Sequence, residues 1–457
     1  MSEKIKIRKG LDIKLKGEPE KVLANADAPS VVAVRPSDFI GMTPKMEVKP
    51  GHEVKAGDVL FFDKYRPELK FVSPVSGEVA EIVRGEKRRI LEVRVLADKD
   101  QAYTDFGTIN PSSASEEEVK TLLLNSGLWT LIRQRPFNII PNSSDKPKSI
   151  FVSAMDTNPL GLDVDFALQG QEDLFKAGLE TISKLTDGSV NLNISTESKT
   201  SGFYQGFSSN KVKVNVFEGP HPAGNVGTQI HALDPINKGE SVWFVNPQDL
   251  VVIGRLVTTG KVDMTKIVAV GGTGVTSPKY YRTITGANLA TLLGDIDTTL
   301  DRDVRVISGS VLTGSKASKD GFLGFYDSTV TVIPEGNQLQ FFLTKGWLSA
   351  GLSKFSNSKA YLSWLTPGKS YNLDTNLNGE ERAFVMTGQY EKVFPFDVYP
   401  VQLIKAIMAN DLDLMEQLGI YEVDAEDFAL CEFVCTSKMD VQDIVRNGLE
   451  ALRAELG

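Results

Sequence analysis

The sequence predicts a multidomain α/β protein: a β-rich opening, an α/β unit with a mainly parallel sheet, a small β-rich domain and a helical tail. Three observations carry this. Turn residues punctuate short β-type runs through the first part of the chain. Strand and helix periodicities then alternate, as a parallel sheet with crossover helices requires. From Tyr399 onward, apolar residues recur at helical spacing. The expected divisions are 1–100, 101–258, 259–340 and 341–457.

The opening part contains VKPGHEVKAGDVLFFDKYRPELKFVSPVSGEV, from Val48 to Val79. Pro50-Gly51, Ala56-Gly57-Asp58 and Ser73–Gly77 are turn signals around short β runs, which suggests a small flattened β-sandwich. This resembles the biotinyl/lipoyl barrel-sandwich domains. In those carriers the modified lysine stands at a hairpin tip midway between the two turns. Here that midpoint is Arg66-Pro67, flanked by Lys64 and Lys70, and neither lysine lies in a Met-Lys-Met or Asp-Lys-Ala setting. A proline ring cannot be acylated, so the fold is expected to serve packing or docking.

Composition narrows the class of function. A chain of 457 residues, 41% hydrophobic and 24% charged, has room for several ordinary domains. A formal net charge of −9 argues against nucleic acid as the main partner, because phosphate contacts need clustered Lys and Arg. No apolar run approaches the roughly 20 residues that span a bilayer. Met1–Lys9 alternates charged and apolar residues without the apolar stretch of a signal peptide, which reads as a cytoplasmic protein. Two cysteines, Cys431 and Cys435, make no disulfide framework.

The α/β unit is read element by element. Ser115 with Glu118 forms a capping box, starting a helix that Gly127 should break. Ser149–Ala154 reads as a buried strand. Leu174, Phe175, Leu179, Ile182 and Leu185 share a helix face, closed by Asp187-Gly188. Val190–Ile194 and Lys211–Phe217 read as further strands, and ligands of such sheets bind at the strands' C-terminal ends. One such end carries FEGPHPAGNVGTQIHALDP, Phe217 to Pro235. Its prolines and glycines argue against a helix and predict an ordered loop. This segment holds the candidate site residues Gly219, Pro220, His221, Pro222, Gly224, Gly227 and His231. The glycines allow close approach to another molecule, while the histidines offer neutral donors near pH 7 that can gain charge slightly below it. The plainer alternative is a buried loop whose histidines only satisfy backbone groups.

Lys266–Val270 runs into Gly271-Gly272-Thr273-Gly274, the entry expected of a dinucleotide site. The pattern is incomplete, and Ser277–Thr283 continues as a β-type segment with no helix to meet a pyrophosphate. A β-turn in a small β-rich domain is the better reading. That domain continues through a short helix at Leu289–Leu293 and the strand-like DVRVISGSVLTG. In the tail, one helix is read through Val401, Leu403, Ile404, Ile407 and Met408 and a second through Leu412–Leu418. A last one runs through Val441–Leu452, giving a small bundle. Cys431 and Cys435, four apart, would share a helix face. A structural zinc or iron–sulfur cluster needs four ligands, so two buried apolar side chains is the plain reading, with a cluster lost from an ancestral bundle or a ligand pair shared across an interface as the others. His221 and His231 fit no zinc spacing. No nucleophile motif is present.

Taken together, IRKGLDIKLKG, FVSPVSGEV, DTNPLGLD, FEGPHPAGNVGTQIHALDP and VRVISGSVLTG give the chain a resemblance, close to full length, to the A subunits of bacterial Na+-translocating NADH:quinone oxidoreductases. More distantly it is similar to the C subunit of Rnf complexes and to the NADH-binding flavoprotein subunit of complex I. The resemblance implies a Rossmann-like α/β domain, a β-grasp domain of SLBB type and a C-terminal helical bundle beside the lipoyl-like sandwich. It also implies a peripheral subunit on the cytoplasmic face of the inner membrane, docked on the membrane-embedded B subunit and inactive when isolated. NADH, FAD, FMN and iron–sulfur centres would then belong to partner subunits, with no metal or cofactor here. Ubiquinone or menaquinone would be the substrate of a complex that exports Na+. The Gly219–His231 segment would be the candidate quinone or partner contact. A stand-alone NADH- or flavin-dependent oxidoreductase and a lipoyl-type carrier are the alternatives.

Overall fold

Short strands joined by tight turns have a two-layer solution only if each buries one face against the other. The computed structural model, which describes residues 4–198, 200–294, 303–338, 340–341, 343, 346 and 348–456, begins with this arrangement after a detour. Strands β1 (Lys4–Lys6) and β2 (Glu20–Asn25) leave to join two other sheets. Then come β3 (Val31–Val34), β4 (Pro44–Met46), β5 (Glu53–Val54), β6 (Val59–Asp63), β7 (Lys70–Val72), β8 (Gly77–Arg84) and β9 (Ile90–Ala97). They form two antiparallel sheets, β3-β9-β8-β5 and β4-β6-β7. Leu60, Phe61, Phe71, Val79 and Val93 fill the space between, with the Phe61 and Phe71 rings stacked at 4.8 Å.

Helix α1 (Glu116–Asn125) opens with both bonds of the capping box: Ser115 accepts from the Glu118 amide, and Glu118 accepts from the Ser115 amide. It leads to β10 (Arg133–Arg135), β11 (Ile150–Ala154), α2 (Val164–Leu168), α3 (Glu172–Ile182) and β12 (Val190–Ser195). These are followed by α4 (Ser201–Gln205), β13 (Val212–Glu218), α5 (Val226–Leu233), β14 (Val242–Phe244) and α6 (Pro247–Thr259). The sheet order is β1-β13-β12-β11-β14-β10, parallel except for the β10–β14 pair. The chain builds outward from β11 to β13 and then crosses back to the other side of β11. The order therefore reverses between β11 and β14, as in dinucleotide-binding folds. Helices α3 and α6 cross so closely that a side chain on Gly178 would meet the Leu250 carbonyl oxygen at 2.0 Å, and one on Gly254 that of Leu174 at 2.0 Å.

The third sheet takes β15 (Thr265–Gly271) and β16 (Lys279–Ile284) as an antiparallel pair. After α7 (Ala290–Leu293) it adds β17 (Val304–Ser308), β18 (Ser315–Ala317) and β19 (Thr329–Pro334), in the order β18-β17-β19-β15-β16-β2. Among the described residues, the stretch 335–389 contains little regular structure beyond a single 3-10 turn at Leu362–Leu365. The tail folds as α8 (Tyr390–Val393), α9 (Pro400–Met408), α10 (Leu412–Gln417), α11 (Ala429–Val434) and α12 (Val441–Leu456), closed around Phe394, Leu403, Ile404, Phe428, Val445 and Leu449. Met408, expected on the apolar face of α9, is instead 53% exposed, because it ends the helix beyond the last turn that packs.

One expectation fails outright. The stretch from Phe217 to Pro235 is a loop only as far as Asn225, and Val226–Leu233 is helix α5. No proline lies between Pro222 and Pro235, a lone glycine costs a helix only about 1 kcal/mol, and Val226, Ile230 and Leu233 line up at helical spacing against Phe151 and Phe244. Among the described residues no helix is long and apolar enough to cross a membrane.

Candidate functional site

The segment after β13 turns sharply at Gly219. Its φ of +147° disfavours a side chain, and a Cβ there would sit 2.3 Å from the Ile7 carbonyl oxygen. Pro220 and His221 follow, pressed against the N-terminal segment. The His221 amide donates to Asp12 Oδ1 (3.0 Å), and its carbonyl accepts from the Leu11 amide (2.8 Å). The imidazole is 1% exposed, with Nδ1 3.1 Å from Thr157 Oγ1. Burial pulls its pKa down to about 4, so His221 stays neutral where a change just below pH 7 was expected of it. Thr157 Oγ1 also accepts from the Gly224 amide at 3.0 Å, which holds the loop against the β11 turn. The His221–Pro222 bond is cis.

Gly227 and His231 lie on α5 and face the C-terminal region. A Cβ on Gly227 would fall 2.5 Å from Asp427 Oδ1, so glycine is what lets the two parts close. His231 Nε2 accepts from the Asp397 amide (3.0 Å), which leaves the proton on Nδ1 to donate to Glu422 Oε2 (2.8 Å). The seven candidate residues therefore divide into a loop that fastens the N-terminal segment and a helix face that fastens the tail.

Two constellations escaped the sequence. Asn193 donates to Gln229, Asn215 to Asn193, and Gln229 to Ser153 and the Ala223 carbonyl, an amide network running across the sheet into α5. Alternating Asn at 191, 193 and 215 in strands was its only signal. Arg135, fully buried on β10, faces Asp424, Glu426 and Asp427 of the tail. Burial opposes its charge, but the three carboxylates overcome this and raise its pKa. Asp424 is shared with Arg446 and Asn138. Asp427 is raised to about 7, chiefly by burial and against the pull of Arg135.

A cavity of about 1070 Å³ lies at the C-terminal ends of β11, β12 and β13. In a dinucleotide fold the turn after the first strand would cradle phosphate with its amides. Here Asp156 occupies that turn: one carboxylate oxygen accepts from the Asn158 amide (2.8 Å) and the other from Leu162 (3.1 Å). The walls add Asp12, Glu18, Asp163, Asp165, Glu172 and Glu218 against Lys14 and Lys21. The Asp156 carboxylate thereby takes up two amides of this turn. The Gly271–Gly274 turn is likewise spent on protein backbone, since Gly272 donates to the Gly17 carbonyl and Gly274 to that of Val332. A strand follows it, as expected, and no helix.

At the sandwich tip, Arg66 pairs with Asp63 (2.9 Å) and donates to the Ile140 carbonyl (2.9 Å), so the tip packs on the α/β domain while Tyr65 stays exposed. Cys431 lies in α11, whereas Cys435 caps its end in extended backbone, so the two do not extend one helix face. Both are buried, and burial raises the Cys431 thiol well above its usual range. Among the described residues no group of three or more His, Cys, Asp or Glu is placed to hold a metal ion.

A flattened β-sandwich joined to a parallel sheet with the strand-order reversal of dinucleotide-binding folds, a third mixed sheet and a helical tail defines a class of multidomain α/β proteins. Family comparison makes this specific. Residues 5–98 match the NqrA N-terminal barrel-sandwich hybrid domain, 114–262 the NqrA second alpha/beta domain, and 267–319 the NQRA C-terminal domain of SLBB type. The chain is 39% identical over 454 residues to the A subunit of the Na(+)-translocating NADH-quinone reductase of Vibrio vulnificus, covering 99% of this chain and all of that one. The A subunits from Pasteurella multocida and Hahella chejuensis are also 39% identical, again over 99% of this chain and all of theirs. The chain belongs to the family of Na(+)-translocating NADH-quinone reductase A subunits. Among solved structures, an NAD+-reducing [NiFe]-hydrogenase aligns with a TM-score of 0.39 and 14% identity over 75% of this chain and 64% of its own, too slight a likeness to argue from.

Proposed function

We propose that this chain is the peripheral A subunit of a Na+-translocating NADH-quinone reductase, and that its own task is to brace the complex. The observation that carries this reading is Asp156 seated in the phosphate turn, which supports placing NADH, FAD, FMN and iron–sulfur chemistry in partner subunits. Ubiquinone or menaquinone is then the substrate of the whole complex, reached through those partners. The chain lies at the cytoplasmic face and docks on the membrane-embedded B subunit. Exposed apolar side chains support docking: Phe341, Leu352, Trp364, Leu365, Leu377 and Met386 all stand in the weakly structured stretch before α8.

The Gly219–His231 segment is the joint of this brace. His221 is buried against the N-terminal segment and His231 bridges to Asp397 and Glu422, which favours a joint over a quinone donor. The test is His231→Ala in the assembled complex. The expected result is a lower melting temperature with unchanged quinone turnover per folded complex. Unchanged melting with impaired turnover would place the quinone at this segment and overturn the reading.

A further inference from the structure

We propose that the crevice at the reversal point of the parallel sheet binds a small oxyanion, a carboxylate or a phosphate group, on the open edge of Arg133. The crevice is a cavity of about 440 Å³ between the C-terminal ends of β11 and β14, walled on the far side by residues following β17 and by α12. Open α/β sheets place ligands at this reversal point. It adjoins the larger acidic cavity, and Met155, Asp156, Asn158, Leu162 and Val164 line both.

Arg133 is built for such a ligand. Its guanidinium lies between the rings of Phe244 (4.5 Å to the centroid) and Tyr326 (4.3 Å), which hold it flat and leave its N–H edge free. No hydrogen bond or ion pair occupies that edge among the described residues. Beside it, Asn225 is nine-tenths buried and lines the cavity, yet its side chain neither caps α5 nor makes a hydrogen bond among the described residues. Asn246 does not cap α6 either, because its amide is turned to Asp249. The N-terminal ends of α5 and α6 thus both reach the cavity and add partial positive charge.

The carboxylates around the cavity form no ion pair with Arg133. Asp424 is held by Arg135, Arg446 and Asn138, and Glu426 by Arg135. Asp156 takes the amides of its own turn, and Asp327 accepts from Ser308. Asp249, buried behind the cavity, accepts from Asn246; burial raises its pKa, while Lys266 and Arg133 pull against that from a distance. Arg446 is spent on Asp424 and the Phe137 carbonyl. Among the described residues that line the cavity, Arg133 is the cation left over.

The experiment titrates inorganic phosphate and, separately, succinate into the purified full chain at low ionic strength by calorimetry. Arg133→Gln and Asn225→Ala are run alongside. Saturable one-to-one binding of at least one anion is expected, weakened about tenfold or more in Arg133→Gln, as loss of a charge-assisted bidentate contact requires, and to a lesser degree in Asn225→Ala. Phosphate alone assigns the site to phosphate compounds, and succinate alone to carboxylates. Absence of saturable binding for both, or equal affinity in Arg133→Gln, overturns the proposal. If Arg133→Gln does not fold, unchanged affinity in Asn225→Ala overturns it.

Discussion

Replacing Arg135 by Met should loosen the tail from the α/β domain more than any exposed substitution. Arg135 is 1% exposed, and its guanidinium lies 3.3 Å from Asp427 Oδ2 and 3.4 Å from Asp424 Oδ2, with Glu426 on its other nitrogen. Methionine fills much of the same volume but supplies no charge. Asp424 would keep Arg446, whereas the buried Asp427 and the partly buried Glu426 would lose their cation. At about pH 8, where Asp427 has released its proton in the folded chain, removing one partner of a buried ion pair typically costs about 3–5 kcal/mol, because the remaining carboxylate must stay buried as a charge or take up a proton. With a urea dependence of about 2–3 kcal/mol per molar, the transition that includes this interface should move down by roughly 1–2.5 M. Trp129 and Trp243, buried edge-to-face at 5.5 Å, are a natural fluorescence reporter, since Trp243 pairs with Gln134 next to Arg135. A chain of several domains need not unfold in one step, so the midpoint of each transition is followed separately. A shift below about 0.3 M in every transition would refute the view that this cluster fastens the tail.

Two further outcomes follow from the same packing. Asp427, raised to about 7, keeps its proton in the folded chain across a range in which an unfolded aspartate has released it. Stability should therefore fall as pH rises from about 4 to about 7, by at most about 1.4 kcal/mol per pH unit, and level off above. Asp427→Asn should flatten that slope, and equal slopes for the two proteins between pH 5 and 7 would contradict the assignment. Gly178→Ala should destabilise by about 1–3 kcal/mol or more, since the new methyl meets backbone that cannot turn aside. A melting temperature unchanged from wild type would show that α3 and α6 can part freely.

What could be read in advance was what is local. The Ser115–Glu118 box, the buried strands and the β-turn at Gly271–Gly274 announce themselves over a few residues, and each formed. Helix α5 was missed because the density of proline and glycine before it was extended over a stretch that contains only one glycine. The destinations of β1 and β2 were illegible for a different reason. Lys4 pairs with Val216, and Ala24 with Tyr281, partners about two hundred or more residues distant that no periodicity identifies. The same holds for Arg135 and its carboxylates, and for His231 with Asp397 and Glu422. The candidate residues were found as a segment, but their division into a buried loop and a helix face needed the fold.

Whether this chain works as a peripheral subunit or alone is decided by purifying the tagged chain from native membranes under mild detergent. Membrane-embedded partner subunits are expected to come with it, carrying flavin and NADH-quinone reductase activity, while the chain separated from them shows only aromatic absorption. Recovery of the chain alone from those membranes, with flavin bound and NADH oxidation of its own, would contradict that expectation.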